Sequence, residues 1–256
     1  MNRCKNCATE LTDRYCPRCG QKASTDRITF AYVAREFFHA LTDLERGFFH
    51  TSLRMLVAPG RTAKDFIDGK RSCHRSPVPY FLIWTTVYIL FLYWTEAVFG
   101  KNAAIDYREY FGPDATTRFA ISHLSVVLIA VMPFQTLYLW RLITHTQYHY
   151  VESMVATIYS LGTVILLQFT FSVSAALVHA ATGATVDLQL SDVFKVAYLV
   201  WFTADFVRLF PVNHKPLRAA AFVVLAFGTF TLWRLYGLPT LMHVVFFTSG
   251  HEAGSG

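Results

Sequence analysis

The chain has 256 residues, of which 54% are hydrophobic and only 16% are charged, and its mean hydropathy is +0.34. Soluble domains usually carry about 25% charged residues, so the composition argues against an ordinary soluble domain. The charge is also unevenly placed, because residues 1–78 hold 14 Lys and Arg against eight Asp and Glu, whereas residues 79–256 hold nine of each sign. We therefore expect a basic N-terminal segment followed by a membrane domain.

Residues 1–25 contain four cysteines, Cys4, Cys7, Cys16 and Cys19, in the arrangement C-x2-C-x8-C-x2-C. Each C-x2-C turn aims two thiolates at one point, and two such turns complete a tetrahedral site of four sulfurs. The spacing predicts a small ribbon that holds a structural Zn²⁺ and leaves no open position for catalysis. A disulfide or a redox C-x-x-C competes with this interpretation, but the first needs an oxidising compartment and the second a βαβ context.

The predicted ribbon is basic, which is typical both of ribbons that bind nucleic acid and of cytoplasmic segments beside a membrane. It lacks the interleaved aromatic and basic residues with which proteins bind single strands. Nucleic acid is therefore not the partner we expect. A cytoplasmic protein that docks on the ribbon fits the pattern better.

The linker, residues 26–78, contains two stretches with apolar residues at helical spacing. They comprise Phe30, Val33, Phe37, Phe38 and Leu41, and then Leu44, Phe48, Phe49, Leu53, Leu56 and Val57. Basic amphipathic helices of this kind suit the membrane interface or the underside of a membrane bundle, and a small soluble helical core would give the same pattern. Lys70, Arg71 and Arg75 follow. Each would contribute about 1 kcal/mol to the binding of the linker to anionic lipid headgroups.

Residues 79–248 form the predicted membrane domain. A helix needs about 20 apolar residues to cross the hydrocarbon, and five stretches qualify, at 79–99, 119–142, 154–178, 193–211 and 217–236. The stretch that remains, 237–248, is too short to cross and either re-enters the membrane or lies on its surface, and 249–256 is a tail. The predicted fold is thus mostly α, a polytopic bundle of about five transmembrane helices behind a Cys4 ribbon and amphipathic helices.

The orientation follows from the Lys and Arg residues that flank the spans. The basic N-terminus predicts a cytoplasmic start, and the loops with Arg141 and with Lys215 and Arg218 fall on the same side. Five spans then place the C-terminus outside. A cytoplasmic ribbon also agrees with reduced, metal-binding cysteines.

Polar groups at membrane depth are candidates for function, and four residues within the predicted spans are singled out here, namely Asp205, Arg208, Gln135 and Gln168. Asp205 and Arg208 lie three residues apart and can pair, either as a site for protons or a substrate headgroup, or merely as an interfacial arginine with a neutralising partner. Gln135 and Gln168 are predicted to join the second and third spans by hydrogen bonds. No nucleotide-binding, hydrolase or metalloprotease motif is present, so no catalytic residue is named.

Several motifs carry a resemblance: C-K-N-C and Y-C-P-R-C-G-Q, L-E-R-G-F-F-H-T, L-V-A-P-G-R-T, and G-K-R-S before P-V-P-Y. Over roughly residues 1–90 the chain resembles a bacterial domain-of-unknown-function family of multi-span membrane proteins with an N-terminal zinc ribbon. Its layout is also similar to that of Yip1-type membrane proteins, which work in membrane trafficking. The first resemblance implies the bacterial inner membrane, and neither supplies a catalytic residue.

Two functional hypotheses follow. The favoured one is a non-enzymatic membrane scaffold or assembly factor that recruits a cytoplasmic partner through the ribbon and the linker. The alternative is a transporter of small molecules or lipids, or a lipid-modifying enzyme, with a site near Asp205 and Arg208. The two differ in the polarity that they require inside the bundle, since a transporter needs several polar groups that converge near the middle of the membrane.

Overall fold

The structure is a computed structural model that describes residues 3–11, 13–23, 29, 47–72, 74–100, 105–106, 119, 124–187, 189–237 and 239–241. This part of the chain is mostly helical. Its helices are, in order, α1 (Phe48–Val57), α2 (Pro59–Ile67), α3 (Pro77–Phe99), α4 (Leu124–Leu139), α5 (Tyr150–Thr182), α6 (Leu190–Arg208) and α7 (Lys215–Leu232). A π-helical turn, Trp140–Thr144, extends α4, and another, Trp233–Gly237, extends α7. Two strands of two residues, β1 (Ile105–Asp106) and β2 (Val186–Asp187), pair in parallel.

Three of these helices are long and apolar enough to cross a membrane, namely α3, α5 and the segment Lys215–Leu241 that contains α7. Helix α6 has 19 residues but carries Asp192, Lys195, Asp205 and Arg208, and the apolar helix at the second predicted span is shorter than the others. Five spans are therefore not confirmed in the described part of the chain. A helix nevertheless overlaps each of the five predicted stretches.

Helices α3 and α5 are longer than the apolar stretches that predicted them. Helix α3 begins at Pro77, because a proline suits the first turn of a helix, where its missing N–H is not needed. Helix α5 begins after His149, whose backbone N–H donates a hydrogen bond of 2.9 Å to the Glu152 carboxylate in a capping box. It ends at Gly183, which has a positive φ of 71°. The polar first turn of α5 conceals its start from a search for apolar residues.

The connecting loops meet in two groups at opposite ends of the bundle. At one end β1, in the loop after α3, pairs with β2, in the loop after α5, so that Ile105 lies beside Val186. At the other end the Arg218 guanidinium donates to the Leu142 carbonyl at 2.6 Å, which joins the start of α7 to the end of α4. Helices α3 to α7 thus alternate in direction. We call the second end, which also holds α1, α2 and the cysteines, the basic end.

Helices α1 and α2 form a hairpin that packs across α3, α5 and α6. The Phe48 ring lies 5.2 Å from the Trp84 ring of α3, and Phe66 is almost completely buried. At Gly60 the hairpin approaches α6 so closely that a Cβ atom would lie 2.3 Å from the backbone nitrogen of Phe206. The hairpin is therefore part of the core of the bundle and not a separate soluble domain.

Some predictions concern residues outside the described part of the chain. They are the first amphipathic stretch, 30–41, most of the segment 237–248, and the tail 249–256. Within that segment residues 239–241 are helical. The structure therefore bears on the linker only through α1, α2 and the residues between α2 and α3.

Candidate metal centre and polar sites

The four predicted metal ligands come together in the structure. The Sγ atoms of Cys4, Cys7, Cys16 and Cys19 all lie within 4.8 Å of one another, with 3.6 Å between Cys4 and Cys19 and 3.5 Å between Cys7 and Cys16. A tetrahedral site with metal–sulfur distances of about 2.3 Å places its sulfurs about 3.8 Å apart. The four thiols can therefore hold a metal ion.

Two turns of the same geometry position these thiols. The Ala8 N–H donates to the Cys4 carbonyl at 2.9 Å, and the Gly20 N–H donates to the Cys16 carbonyl at 2.9 Å. Ala8 and Gly20 both have positive φ, 60° and 70°. Glycine adopts this conformation without strain, whereas a residue with a Cβ pays roughly 1–2 kcal/mol. The sequence departs from the usual pattern at Ala8, and the backbone nevertheless keeps the turn that aims the thiols.

The thiols of the cluster differ in acidity even without a metal. Hydrogen bonds with Thr9 lower the pKa of Cys7. Burial opposes ionisation of Cys19, but hydrogen bonds, first among them one with the Gln21 backbone, outweigh it and lower the pKa of Cys19 to about 6. Burial raises the pKa of Cys16 to about 11. Since the thiolate is the ligand, metal binding at neutral pH must displace the proton of Cys16 in particular.

Gln21, which follows the second cysteine turn, ties the ribbon to the rest of the protein. Its side chain is only 5% exposed. The Nε2 atom donates to the Gly69 carbonyl at 2.6 Å, and Oε1 accepts from the backbone N–H groups of Arg71 and Ser72 at 3.0 and 3.2 Å. Gln21 and Gly69 belong to motifs seen in the sequence, C-G-Q and G-K-R-S, which nothing in the sequence relates to each other. The structure shows that the first binds the backbone of the second.

Asp205 binds the start of another helix instead of Arg208. Its Oδ2 accepts a hydrogen bond of 3.0 Å from the backbone N–H of Arg61, in the first turn of α2, and Ala58 at the cap position offers no side-chain acceptor. A carboxylate is well suited to this place, because helix N-termini leave N–H groups without partners and carry partial positive charge. Arg208 is exposed, and no ion pair links it to Asp205 in the described structure. The predicted pairing does not form.

Gln135 and Gln168 are both buried but do not bond to each other, so the predicted link between the two helices is wrong. Neither amide atom of Gln168 has a partner among the described residues. The register explains this, because the hydroxyls of Thr144 and Ser153 bond at 2.6 Å where α4 and α5 meet. The two helices run in opposite directions from this contact. Gln135, nine residues before Thr144, is therefore level with residue 162, nine residues after Ser153, and Gln168 lies about 9 Å further along α5.

A group of buried hydroxyls lies where α3, α5 and α6 meet, and the sequence analysis missed it. The hydroxyls of Tyr80 and Thr163 lie 3.0 Å apart. The hydroxyl of Tyr198 faces Ser160 and Thr163 and has no hydrogen-bond partner in the described structure. Tyrosines in apolar stretches are also typical of membrane interfaces, so the sequence alone does not distinguish Tyr80 and Tyr198 as residues inside the bundle.

Residues 45–89 match a known family model. Its description is "Protein of unknown function (DUF3667)". The predicted resemblance to a family of unknown function is confirmed over this segment, which contains the hairpin and the first half of α3. Neither the curated proteins nor the solved structures contain a match to the chain.

The three basic residues that were expected to contact lipid headgroups have different surroundings. Lys70 forms an ion pair of 2.8 Å with Asp65 and stays half exposed. The Arg71 guanidinium lies 5.6 Å from the centre of the Phe66 ring. The Arg75 side chain is only 7% exposed and is therefore enclosed by protein, which removes it from the surface that a headgroup could reach.

A further charged cluster lies at the end of the bundle opposite the basic end. Lys195 contacts Asp192 at 2.8 Å, and Arg234 contacts the same carboxylate at 3.8 Å. All three side chains are largely buried. The cluster joins the first turn of α6 to the π-helical turn after α7. The sequence analysis did not single out these residues, because Asp192 and Arg234 are 42 positions apart.

Proposed function

We propose that this chain is an integral membrane protein that acts as a non-enzymatic scaffold or assembly factor, with a structural Zn²⁺ in its ribbon. Three helices long and apolar enough to cross a membrane support the first part. The donor set supports zinc, because four thiolates in tetrahedral arrangement are typical of structural zinc sites. All four positions are filled by protein, so the metal has no place for a substrate.

The orientation that fits this proposal puts the basic end in the cytoplasm of a bacterial cell and the C-terminus outside the inner membrane. The alternation of helix directions supports it, because the loops predicted to be external pair as β1 and β2. The basic end includes Arg141 in the π-helical turn after α4, and Lys215 and Arg218 in the first turn of α7, as the distribution of positive charge in inner-membrane proteins requires. The four thiols then lie in a reducing compartment.

The observation that carries the scaffold proposal is the set of hydrogen bonds by which the Gln21 side chain holds residues 69–72. Three hydrogen bonds to backbone groups, each worth about 1 kcal/mol, hold the ribbon at one orientation on the bundle. A ribbon that served only as a flexible tether would need no such attachment. The held ribbon exposes Tyr15, which is 60% accessible, between the exposed residues Arg14 and Lys22. One exposed aromatic side chain beside cations suits an acidic protein partner, whereas proteins that bind single strands present several aromatic side chains for successive bases.

The test replaces Tyr15 by a photo-crosslinking phenylalanine derivative in the full-length protein in cells. We expect one dominant protein adduct. It should disappear when Cys4→Ser and Cys19→Ser are introduced together, and metal analysis of the purified protein should show one zinc per chain that these changes remove. The scaffold proposal fails if no discrete adduct forms or if the adduct is indifferent to the cysteine changes. Zinc retained by the double variant would refute the metal assignment.

A second candidate function, transport of a polar small molecule, is favoured by Gln168. The Tyr159 hydroxyl donates to the Arg75 carbonyl just before α3, which marks the basic end of the apolar layer on α5. Nine residues further along, Gln168 lies about 14 Å from this level, inside the hydrocarbon layer. A buried amide without partners costs about 1–3 kcal/mol, which a polar ligand or water would offset.

The variant Gln168→Leu distinguishes the scaffold function from the transport function. Both predict a more stable protein in detergent, because the buried polar group is gone. Only the transport function predicts that the stabilised variant no longer complements a strain that lacks the gene. Full complementation by Gln168→Leu would remove this candidate.

A further inference from the structure

Helix α1 turns its polar side inward. The Thr51 hydroxyl accepts a hydrogen bond of 2.8 Å from the backbone N–H of Arg75, and the Ser52 hydroxyl accepts one of 3.1 Å from the Trp84 indole. Thr51 and Ser52 are buried. These two hydroxyls thus attach α1 to the segment before α3 and to α3 itself.

The opposite side of α1 is apolar and exposed. Phe49, Leu53 and Val57, each four residues from the next, are 80%, 61% and 61% accessible, and Leu56 lies beside them. Residues four apart form one stripe along a helix. A helix in water would place this stripe in the core and the threonine and serine outside. The surroundings of α1 must therefore be apolar on its outer side.

The contacts of α1 place it at the level of the membrane interface. Trp84 and Trp201 both hydrogen-bond to α1, the latter through its indole N–H to the Leu56 carbonyl at 3.2 Å. Each lies seven residues, or about 10 Å, from the basic end of its own helix, which begins at Pro77 or ends at Arg208. Trp201 is itself exposed on the side of the bundle. The apolar stripe thus continues the lateral surface that faces lipid.

Cations lie beside this stripe at the tip of the hairpin. Arg61 and Arg208 are both exposed, and their backbones are close, because the Arg61 N–H donates to Asp205, three residues before Arg208. The Asp205 carboxylate lies between them and is engaged by the start of α2. Exposed guanidinium groups next to an apolar helical face are the arrangement with which proteins bind anionic membrane surfaces.

We propose that α1 lies in the plane of the membrane at the basic end, with Phe49, Leu53 and Val57 among the acyl chains and with Arg61 and Arg208 at the phosphates of anionic phospholipids. This surface is separate from the ribbon, so the inference does not depend on the scaffold function. It assigns the lipid contact of the linker to α1 and the tip of the hairpin, instead of to the basic residues before α3.

The experiment uses the full-length, zinc-loaded protein in nanodiscs that contain equal amounts of phosphatidylglycerol and phosphatidylcholine. A photo-crosslinking residue replaces Leu53 in one variant and Met55, on the buried side of the same helix, in the control. We expect phospholipid adducts from position 53 and crosslinks only within the chain from position 55. Crosslinks from position 53 to residues 24–46 of its own chain, or to a second copy, in place of lipid would overturn the proposal.

The charged part of the surface is tested in the position-53 variant by adding Arg61→Gln and Arg208→Gln. We expect the ratio of phosphatidylglycerol to phosphatidylcholine adducts to exceed one in the parent and to fall at least threefold in the double variant. Arg14→Gln, on the ribbon, serves as the control and should leave the ratio unchanged. Retained crosslinking within the chain from position 55 shows that the double variant is folded. An unchanged ratio in a folded double variant would refute the headgroup contact.

Discussion

The variant Gly60→Ala tests the packing of the hairpin against α6. A Cβ at Gly60 would lie 2.3 Å from the nitrogen and 2.5 Å from the Cα of Phe206, and 2.7 Å from the carbonyl carbon of Asp205. All three are backbone atoms, so no change of rotamer relieves the overlap. Ordinary contacts begin near 3.4 Å, and the methyl group therefore forces α2 and α6 apart by about 1 Å.

Two losses add to the cost of this variant. Overpacking of a closely packed interface costs about 1–3 kcal/mol. The forced separation also breaks the hydrogen bond from the Arg61 N–H to the Asp205 carboxylate, and bonds to charged groups contribute about 1.5–3 kcal/mol. We expect a total of about 4 kcal/mol. In a protein of this size that corresponds to a fall in Tm of about 10 °C.

Thermal unfolding in detergent measures this difference, and Gly228→Ala is the matched control. Gly228 lies within α7, and a Cβ there would meet nothing within 4 Å. Alanine in place of a helical glycine without steric conflict should stabilise by about 0.5–1 kcal/mol. The two changes add the same methyl group and should shift Tm in opposite directions. Equal shifts, or a Gly60→Ala protein that unfolds at the parent temperature, would refute the close approach of α2 to α6.

Three further outcomes are expected. Gln21→Ala should leave metal binding by the four thiols unchanged but speed amide hydrogen exchange in the loop that the glutamine holds, and unchanged exchange would contradict the attachment. Asp205→Leu should lower the stability by about 1–2 kcal/mol because α2 loses its cap. Asp205→Asn, which keeps an acceptor, should lower the stability less, and Arg208→Leu should hardly change it. If Asp205→Leu and Arg208→Leu lower the stability equally in thermal unfolding, Asp205 and Arg208 form a pair after all. Cysteines introduced at Lys22 and Asp187 should react with impermeant reagents only from the cytoplasmic and the external side, respectively, and the reverse pattern would invert the orientation.

The ribbon was predictable because its information is local. Two C-x2-C turns within 16 residues specify where four thiols must point, and no distant part of the chain is needed. Ala8 stands where the second turn has Gly20, and its backbone takes the same positive φ. The attachment of the ribbon was not predictable, because Gln21 and Gly69 are 48 residues apart and neither motif contains a pattern that indicates its partner.

Helix α1 was predicted as an amphipathic helix, and the sequence left open whether its apolar face meets lipid or protein. A period of 3.6 residues gives the width of the apolar face, and it does not say whether that face meets protein or lipid. In water the apolar face is the buried one, whereas beside a bilayer both faces have an apolar neighbour. The side that carries Thr51 and Ser52 is then the one that needs protein, because their hydroxyls require partners that lipid cannot supply.

The same physical rule explains Asp205, whose charge at membrane depth first suggested chemistry. A partly buried carboxylate is stabilised by a hydrogen-bond donor, and the sequence offers Arg208 three residues away, whereas the structure uses the N-terminus of α2, 144 residues away. The segment 45–89 contains that N-terminus, the close approach at Gly60 and the loop held by Gln21. These contacts explain what the motifs P-G-R (59–61) and G-K-R-S (69–72) do in the structure: their residues join the ribbon, the hairpin and the bundle.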